Sequence, residues 1–340
     1  MHEHLPDEIQ EKVYAEQIAP EEKMSTNGVE VKLDNLIVSS SPHLRSNETV
    51  QKTMLDVIIA LVPAMIASVY FFGVRSAIVI ATSVIFAVLS EWAFEKFMHR
   101  PVTISDLSAV VTGILLAFNV PANIPLYMIA FGAIFAIVIA KQIYGGLGQN
   151  FVNPALAARA VMMVSWTKEM ANNFIMPGAD AVATSTPLQT GKMLSVMDMF
   201  IGKMPGCLGE VSAAALILGG IYLIARKVIS WRIPVIYIAT TAILLIIFGK
   251  ADVVVPQLFA GGLMLGAFFM ATDYTTSPIS AKGQIIFAFG CGLMTALIRV
   301  YGGYPEGVSY SILLMNICAP MIERFTQPKV FGVEKKRGAK

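Results

Sequence analysis

The sequence predicts an all-α integral membrane protein of about ten transmembrane helices, built as two inverted five-helix repeats with some helices short or broken. Three observations predict it. Hydrophobic residues make up 56% of the 340 and charged residues 14%, where a soluble domain carries about a quarter charged. Apolar segments follow one another closely from Thr53 onward, and landmarks of the first half recur in the second at a constant offset. The mean hydropathy is +0.66. A net charge of +2 carries no message about nucleic acid.

Residues 1–52 differ in kind. They are acidic (Asp7, Glu8, Glu11, Glu16, Glu21, Glu22) and lack an apolar run, so no basic stretch leads into a hydrophobic signal. Residues 29–38 suggest a short strand and 39–45 a turn. This part reads as a cytoplasmic extension, either docking a partner chain or acting as a linker.

Hydrophobic segments then lie at about 54–72, 76–94, 105–120, 124–143, 153–166, 211–225, 233–249, 255–272, 284–301 and 307–322. A full crossing needs about 20 apolar residues, so the third and fifth are short. Short or interrupted segments in both halves suggest broken helices around a central site. The chain thus divides into a first five-helix repeat (53–166), an extracytoplasmic loop (167–210), a second repeat (211–322) and a basic cytoplasmic tail (323–340).

The repeat rests on Tyr144-Gly145-Gly146 after the fourth segment and Tyr301-Gly302-Gly303 after the ninth, an offset of 157 that also carries Pro121 onto Pro278. Five spans per half insert the second half upside down. Basic residues set the orientation. Lys96, Arg100, Arg226, Lys227, Arg232, Arg324, Lys335 and Lys336 fall on one side, against fewer on the other (Arg75, Lys168, Lys192, Lys203, Lys250, Arg299). Both termini are therefore expected in the cytoplasm, with the 167–210 loop outside.

That loop is the longest gap between apolar segments. It holds Asp180-Ala181-Val182-Ala183-Thr184-Ser185-Thr186-Pro187-Leu188, small, hydroxyl-rich and almost uncharged. A hydroxyl here can be esterified, and Pro187 fixes the backbone after it; a plain Ser/Thr-rich turn reads the same way. Cys207, Cys291 and Cys318 are isolated, with no metal-ligand spacing. Ionisable residues in or at the ends of apolar segments are functional candidates by default: Glu91, Asp106 and Asp273 as ion or proton relays, with Arg159 in the fifth segment. Interfacial solvation, or pairing with a neighbouring Lys or Arg, is the alternative for each carboxylate. Met162-Met163 and Phe268-Phe269-Met270 read as packing or lipid-facing residues.

Three stretches carry a resemblance: residues 141–155 (Lys-Gln-Ile-Tyr-Gly-Gly-Leu-Gly-Gln-Asn-Phe-Val-Asn-Pro-Ala), residues 180–188, and Gly302-Gly303-Tyr304-Pro305-Glu306-Gly307-Val308. They resemble the RnfD family, a membrane component of the Rnf complex, with the NqrB component of the sodium-pumping NADH:quinone oxidoreductase a close relative. The likeness runs from about Ser41 to Gly332.

The resemblance implies a component of a complex that couples electron flow between ferredoxin and NAD to Na+ or H+ movement across the inner membrane. It implies FMN joined through its phosphate to Thr186, and a second, non-covalent flavin, riboflavin or another, nearer the cytoplasm. The family's attachment pattern maps from Asp180 to Thr186 with two departures: Ala183 stands where a hydroxyl is usual, and Ser185 where Ala is usual. Thr184 is left as a secondary candidate.

For the second flavin the resemblance points to Thr112, Asn150 and Asn153. Asn amides both donate and accept, which suits a flavin's pyrimidine edge, but Asn153 before Pro154 also reads as a helix cap. Gly145, Gly146 and Gly148 follow no strand, so close backbone packing fits better than a dinucleotide fingerprint.

The implied partners are the other Rnf subunits (A, B, C, E and G), with the ferredoxin and NAD(H) sites on those chains. The rival readings are the quinone-reducing relative and a redox-inactive inverted-repeat transporter, which would carry no flavin.

Overall fold

The computed structural model describes residues 49–171, 174–176, 183–184, 186, 188, 195–210, 212–302 and 307–327. The chain divides into Met1–Asn47 and Glu48–Lys340, and the description below concerns the second unit. The strand predicted at 29–38, the acidic extension, Asp180, Ser185 and the end of the basic tail lie outside the described residues.

Helix α1 (Val50–Phe72) starts at Thr49, whose side chain accepts from the Lys52 amide. It has an inverted amphipathicity. Asp56, Ala60, Leu61, Ala64 and Ser68 are buried, while Leu55, Ile59, Val62, Ile66 and Val69 are exposed. Helix α2 (Val74–Phe97) repeats the pattern, burying Ser76, Val79, Ser83, Ala87, Glu91 and Glu95 mostly at four-residue spacing. Its apolar Ile78, Ile85, Leu89 and Trp92 face outward. Small and polar residues inside with large apolar ones outside is the arrangement lipid favours. Gly73 alone joins the two helices, at φ 72°, where a side chain would be strained.

A 3-10 turn (Ile104–Asp106) and Leu107, at φ 63°, lead into short helix α3 (Ser108–Phe118). Helix α4 (Leu126–Ile134) runs on as π-helical turns over Phe135–Gln142. Helix α5 (Pro154–Ser165) and the short α6 (Thr167–Ala171) follow. A two-residue ribbon pairs β1 (Phe174–Ile175) with β2 (Ala183–Thr184), antiparallel, and is a small departure from an all-helical chain.

After α7 (Val196–Ile201) come α8 (Ala213–Ala225) and α9 (Arg232–Ile247). A broken stretch, α10 (Val254–Phe259) and α11 (Leu263–Leu265), continues as π-helical turns over Gly266–Met270. Its two parts meet at 64°, at Gly261 and Gly262, both with positive φ. Helices α12 (Ala281–Tyr301) and α13 (Val308–Thr326) complete the described chain.

Each of the ten apolar segments coincides with a helix or the broken stretch. Among the described residues three helices (α1, α2 and α12) are long and apolar enough to cross a membrane, or four spans if the bent pair counts as one. Five shorter apolar helices accompany them. The chain is a multi-pass membrane protein. Two expected boundaries move: α1 begins at Val50 rather than after residue 52, and α13 runs to Thr326, beyond residue 322.

The core lies between the halves. Helix α1 packs closely on α8, where a Cβ on Gly219 would come within 2.1 Å of the Ala60 carbonyl oxygen. Across the same contact Asp56 accepts from the Tyr222 hydroxyl (2.9 Å) and from Arg226 Nε and Nη2 (3.3 and 3.2 Å). Helix α9 meets α12 through a buried Tyr237–Thr295 hydroxyl pair at 2.7 Å. Met162, Met163, Phe268, Phe269 and Met270 are all buried and belong to this core rather than to the lipid face.

Candidate functional site

A narrow cavity of about 90 Å³ opens between the halves. From the first half it is lined by Met54 and Val57 of α1, Ser108, Val111, Thr112 and Leu115 of α3, Lys141 at the end of the π-helical turns, and Asn150 and Asn153 before α5. From the second half come Leu223, Phe268, Phe269, Thr272 and the Asp273–Thr275 turn. The breaks make this possible. α3 and the 263–270 stretch end inside the molecule, so their neighbouring polar residues lie at depth.

Thr112, Asn150 and Asn153, expected together, therefore line one cavity with Asp273, expected separately. Asn153 caps α5: its Oδ1 accepts from the Ala155 and Leu156 amides (3.1 and 3.3 Å), and its Nδ2 donates to the Met270 carbonyl (3.4 Å). Asn150 Nδ2 donates to the Val152 carbonyl at 3.1 Å, and the Thr112 hydroxyl to the Ser108 carbonyl at 2.9 Å. Asp273 accepts from the Thr275 and Thr276 hydroxyls at 3.1 and 3.2 Å. Burial raises the Asp273 carboxyl above its ordinary value, while hydrogen bonds from Thr275, Thr276 and Asn150 oppose the shift.

Behind the cavity wall runs a buried polar chain. Lys141 Nζ lies 2.5 Å from Glu91 Oε1 and donates to Ser108 Oγ at 2.6 Å. Gln142 Nε2 donates to Glu91 Oε1 (2.8 Å) and to Glu95 Oε1 (3.4 Å). Ser108 Oγ in turn donates to Asp106 Oδ1 at 2.6 Å. Glu91 is thus ion-paired, as one of the two readings of it foresaw, and its Oε2 is buried without a hydrogen-bond partner. Asp106 serves locally, also accepting from the Ser108 amide.

A second, more open cavity of about 780 Å³ lies beyond, lined by Glu95, Arg100, Thr103, Asp106, Gln142, Gly145 and Gly146. Leu147 lines both cavities. Gly145, Gly146 and Gly148 have φ of 127°, 96° and 89°. A Cβ on Gly148 would meet nothing within 4 Å. At Gly148 left-handed backbone rather than the close packing expected is what glycine supplies, whereas at Gly145 a Cβ would also come within 3.1 Å of the Gln149 side chain.

Sequence reasoning missed Lys141, Gln142, Ser108 and Glu95 as site residues. Lys141 and Glu95 carried the same signal as Glu91, an ionisable group in or beside an apolar run. Arg159 is buried at the α5–α13 contact, donating to Asn119 Oδ1 (3.0 Å) and Ser309 Oγ (2.7 Å), with Glu210 Oε1 at 3.9 Å.

Thr186 is not among the cavity residues. Its side chain is 4% exposed, whereas transfer of a group to its hydroxyl needs that oxygen accessible.

A sequence model of the NQR2, RnfD, RnfE family matches residues 37–332. The chain belongs to this family. Among members of the NQR2, RnfD, RnfE family, it is 52% identical over 309 residues to the D subunit of the Na(+)-translocating ferredoxin:NAD(+) oxidoreductase complex of Acetobacterium woodii, covering 88% of this chain and 96% of the relative. It is 46% identical over 327 residues to the D subunit of the proton-translocating ferredoxin:NAD(+) oxidoreductase complex of Clostridium ljungdahlii, covering 90% and 99%. The D subunit of an ion-translocating oxidoreductase complex of Yersinia enterocolitica is 34% identical, covering 88% and 99%.

Proposed function

We propose that this chain is the membrane flavoprotein component of an ion-translocating ferredoxin:NAD+ oxidoreductase complex. It relays electrons between ferredoxin and NAD, coupled to Na+ or H+ movement, with the substrate sites on partner subunits. The observation that carries this is the 52% identity to a component of a complex so named, over 96% of that relative's length. The same identity favours the ferredoxin-dependent reading over the quinone-reducing relative. A transporter without redox function is disfavoured alongside it.

Two flavin positions belong to the proposal. The Thr186 hydroxyl is the atom a phosphoester to FMN requires. The cavity offers polar groups that a non-covalent flavin could use: the second N–H of the Asn150 and Asn153 amides as donors, the hydroxyl oxygens of Thr112 and Thr272 as acceptors, since these hydroxyls already donate to the Ser108 and Phe268 carbonyls, and apolar walls from Met54, Val57 and Phe269. At about 90 Å³ it is well below the roughly 300–1,000 Å³ of small-molecule pockets, so entry of a three-ring system requires flexible wall residues such as Met54 and Leu147 to move aside. Bound flavin supplies one-electron redox chemistry, and the protein tunes it by hydrogen bonds, burial and charge. The Lys141–Glu91 pair, with Glu91 Oε2 buried and without a hydrogen-bond partner, and Asp273 are ionisable groups at or behind the wall that could answer a charge change there.

For topology we infer ten crossings of the cytoplasmic membrane in two inverted halves, with both termini cytoplasmic and Thr186 outside. Support comes from the matching element order. In each half a left-handed break precedes the inner end of the third helical stretch. In each half an arginine also links the end of the fourth helix to residues before or within the third, though from opposite sides: Arg100, before the third, donates to the Gln142 carbonyl, and Arg299, at the end of the fourth, donates to the carbonyl of Gln257 in α10.

The test is fluorescence of the denatured chain on a gel under ultraviolet light, from cells with an active flavin transferase. A band lost in Thr186→Ala supports the tether, and a dark wild-type band refutes it.

A further inference from the structure

We propose that a groove between α2 and the end of α4 holds one acyl chain of an anionic phospholipid, with the lipid's phosphate at Lys96 and Arg100.

The groove has a volume of about 440 Å³, within the roughly 300–1,000 Å³ of small-molecule sites. Ser90 and Ala93, both small, leave room among the larger side chains of Leu89, Phe94, Ile134 and Val138. The Ser90 hydroxyl donates to the Phe86 carbonyl of its own helix, so it asks nothing of a guest. On α2 the lining runs from Phe86 to Phe97, about 16 Å of helix. That is close to the depth of one leaflet in a hydrocarbon core about 30 Å thick.

One end of the groove is cationic. Lys96 Nζ lies 4.9 Å from the centroid of the Trp92 ring, and the Arg100 guanidinium 6.0 Å from that of Phe94. Both cations are exposed, and among the described residues neither forms an ion pair. The neighbouring carboxylates are turned elsewhere. Glu91 and Glu95 lie on the buried face of α2. Glu91 pairs with Lys141, and Glu95 accepts from the Thr103 amide and hydroxyl at 3.1 and 2.5 Å. Asp106 accepts from the Ser108 amide and hydroxyl. The last carbonyls of α2 are also occupied: those of Phe94, Glu95 and Lys96 accept from the Met98, Arg100 and His99 amides. This mutes the negative end of the helix dipole.

An apolar helix of a partner subunit would fill the groove but leave the two cations unused. A phospholipid uses both features. Trp92, 42% exposed, suits the membrane–water boundary where such rings sit, and basic clusters between membrane helices at that level recognise anionic headgroups. The headgroup must carry a net negative charge, because a zwitterion brings its own cation to the phosphate.

The experiment is photocrosslinking in the purified, assembled complex, with Phe86→p-benzoylphenylalanine at the end of the groove away from the cations. Vesicles contain phosphatidylglycerol and phosphatidylcholine in equal parts with the same acyl chains, and adducts on this chain are identified by mass spectrometry. We expect phosphatidylglycerol adducts to exceed phosphatidylcholine adducts several-fold. The ratio should fall to near parity in Lys96→Gln/Arg100→Gln and persist in the charge-preserving Lys96→Arg/Arg100→Lys. Concentrated salt screens exposed charges and should narrow the ratio in the unsubstituted pair, a readout that depends on no variant's folding. Equal adducts at the outset, a preference unmoved by the neutral pair or by salt, or its loss in the charge-preserving pair overturns the proposal. Crosslinks to a partner subunit's peptide in place of lipid overturn it as well.

Discussion

Glu91 and Lys141 face each other at 2.5 Å, fifty residues apart in sequence, with side chains 0% and 3% exposed. Each charge is tolerable only because the other is there. Removing one partner of a buried pair costs about 3–5 kcal/mol, whereas replacing both with apolar or neutral groups is often close to neutral. Glu91→Gln and Lys141→Met alone should each lower stability by about that amount. The double variant should recover most of it, as thermal unfolding in detergent would measure; equal losses from single and double variants would contradict the pairing.

Gly219 allows α1 and α8 to touch. A methyl group there would lie 2.1 Å from the Ala60 carbonyl oxygen, and backbone cannot yield as a flexible side chain does. Gly219→Ala should cost about 1–3 kcal/mol. Gly148→Ala should lose less through contact, since nothing lies within 4 Å, but retain the strain of its positive φ. Comparing melting temperatures of the two variants separates overpacking from backbone strain.

Asp273 gives a pH dependence of definite sign. Its carboxyl titrates above the ordinary value in the folded chain because of burial, so the folded state holds the proton more tightly than the unfolded one. The associated stability is present below about pH 4, the unfolded value, and is lost as pH rises through the folded value. Asp273→Asn should therefore be more stable than wild type at pH 7, with the gap closing toward pH 4. Melting curves across that range provide the check; a gap that widens on acidification would reverse the sign.

Burial of Thr186, at 4% exposure, makes a kinetic prediction about flavin attachment. Chain first folded without a flavin transferase, then given the transferase and its flavin donor, should be labelled slowly. Mild denaturant that loosens the segment should speed labelling several-fold, and Thr186→Ser should still label. In-gel fluorescence against time measures each; labelling as fast without denaturant as with it would place the hydroxyl in the open.

Much of this architecture was legible in the chain. The ten apolar runs became helical because nothing else satisfies backbone groups in lipid; of the ionisable residues in or at the ends of those runs, Asp273 lines the narrow cavity, Glu91 lies behind its wall and Asp106 lines the second cavity, whereas Arg159 is buried at the α5–α13 contact. What escaped was the break at Leu107, a left-handed residue with a side chain, which no glycine announces. The Lys141–Glu91 contact also escaped, because it depends on how α2 and the end of α4 are rotated, and composition does not encode rotation. Thr112, Asn150 and Asn153 stood out only through family likeness. Asn153 then proved to be capping α5, the bland reading of an Asn before Pro.

The π-helical turns at Phe135–Gln142 and Gly266–Met270 border the same cavity from opposite halves. Such turns carry more residues per revolution than the helix before them, so they set the angular phase at which Lys141 and Phe268–Phe269 emerge. A residue in an α-helix advances by about 100°. Deleting one residue between Phe135 and Ala140 would consequently swing the ammonium a quarter-turn or more away from Glu91, into the buried position now held by Ala140, with the composition of the segment almost unchanged.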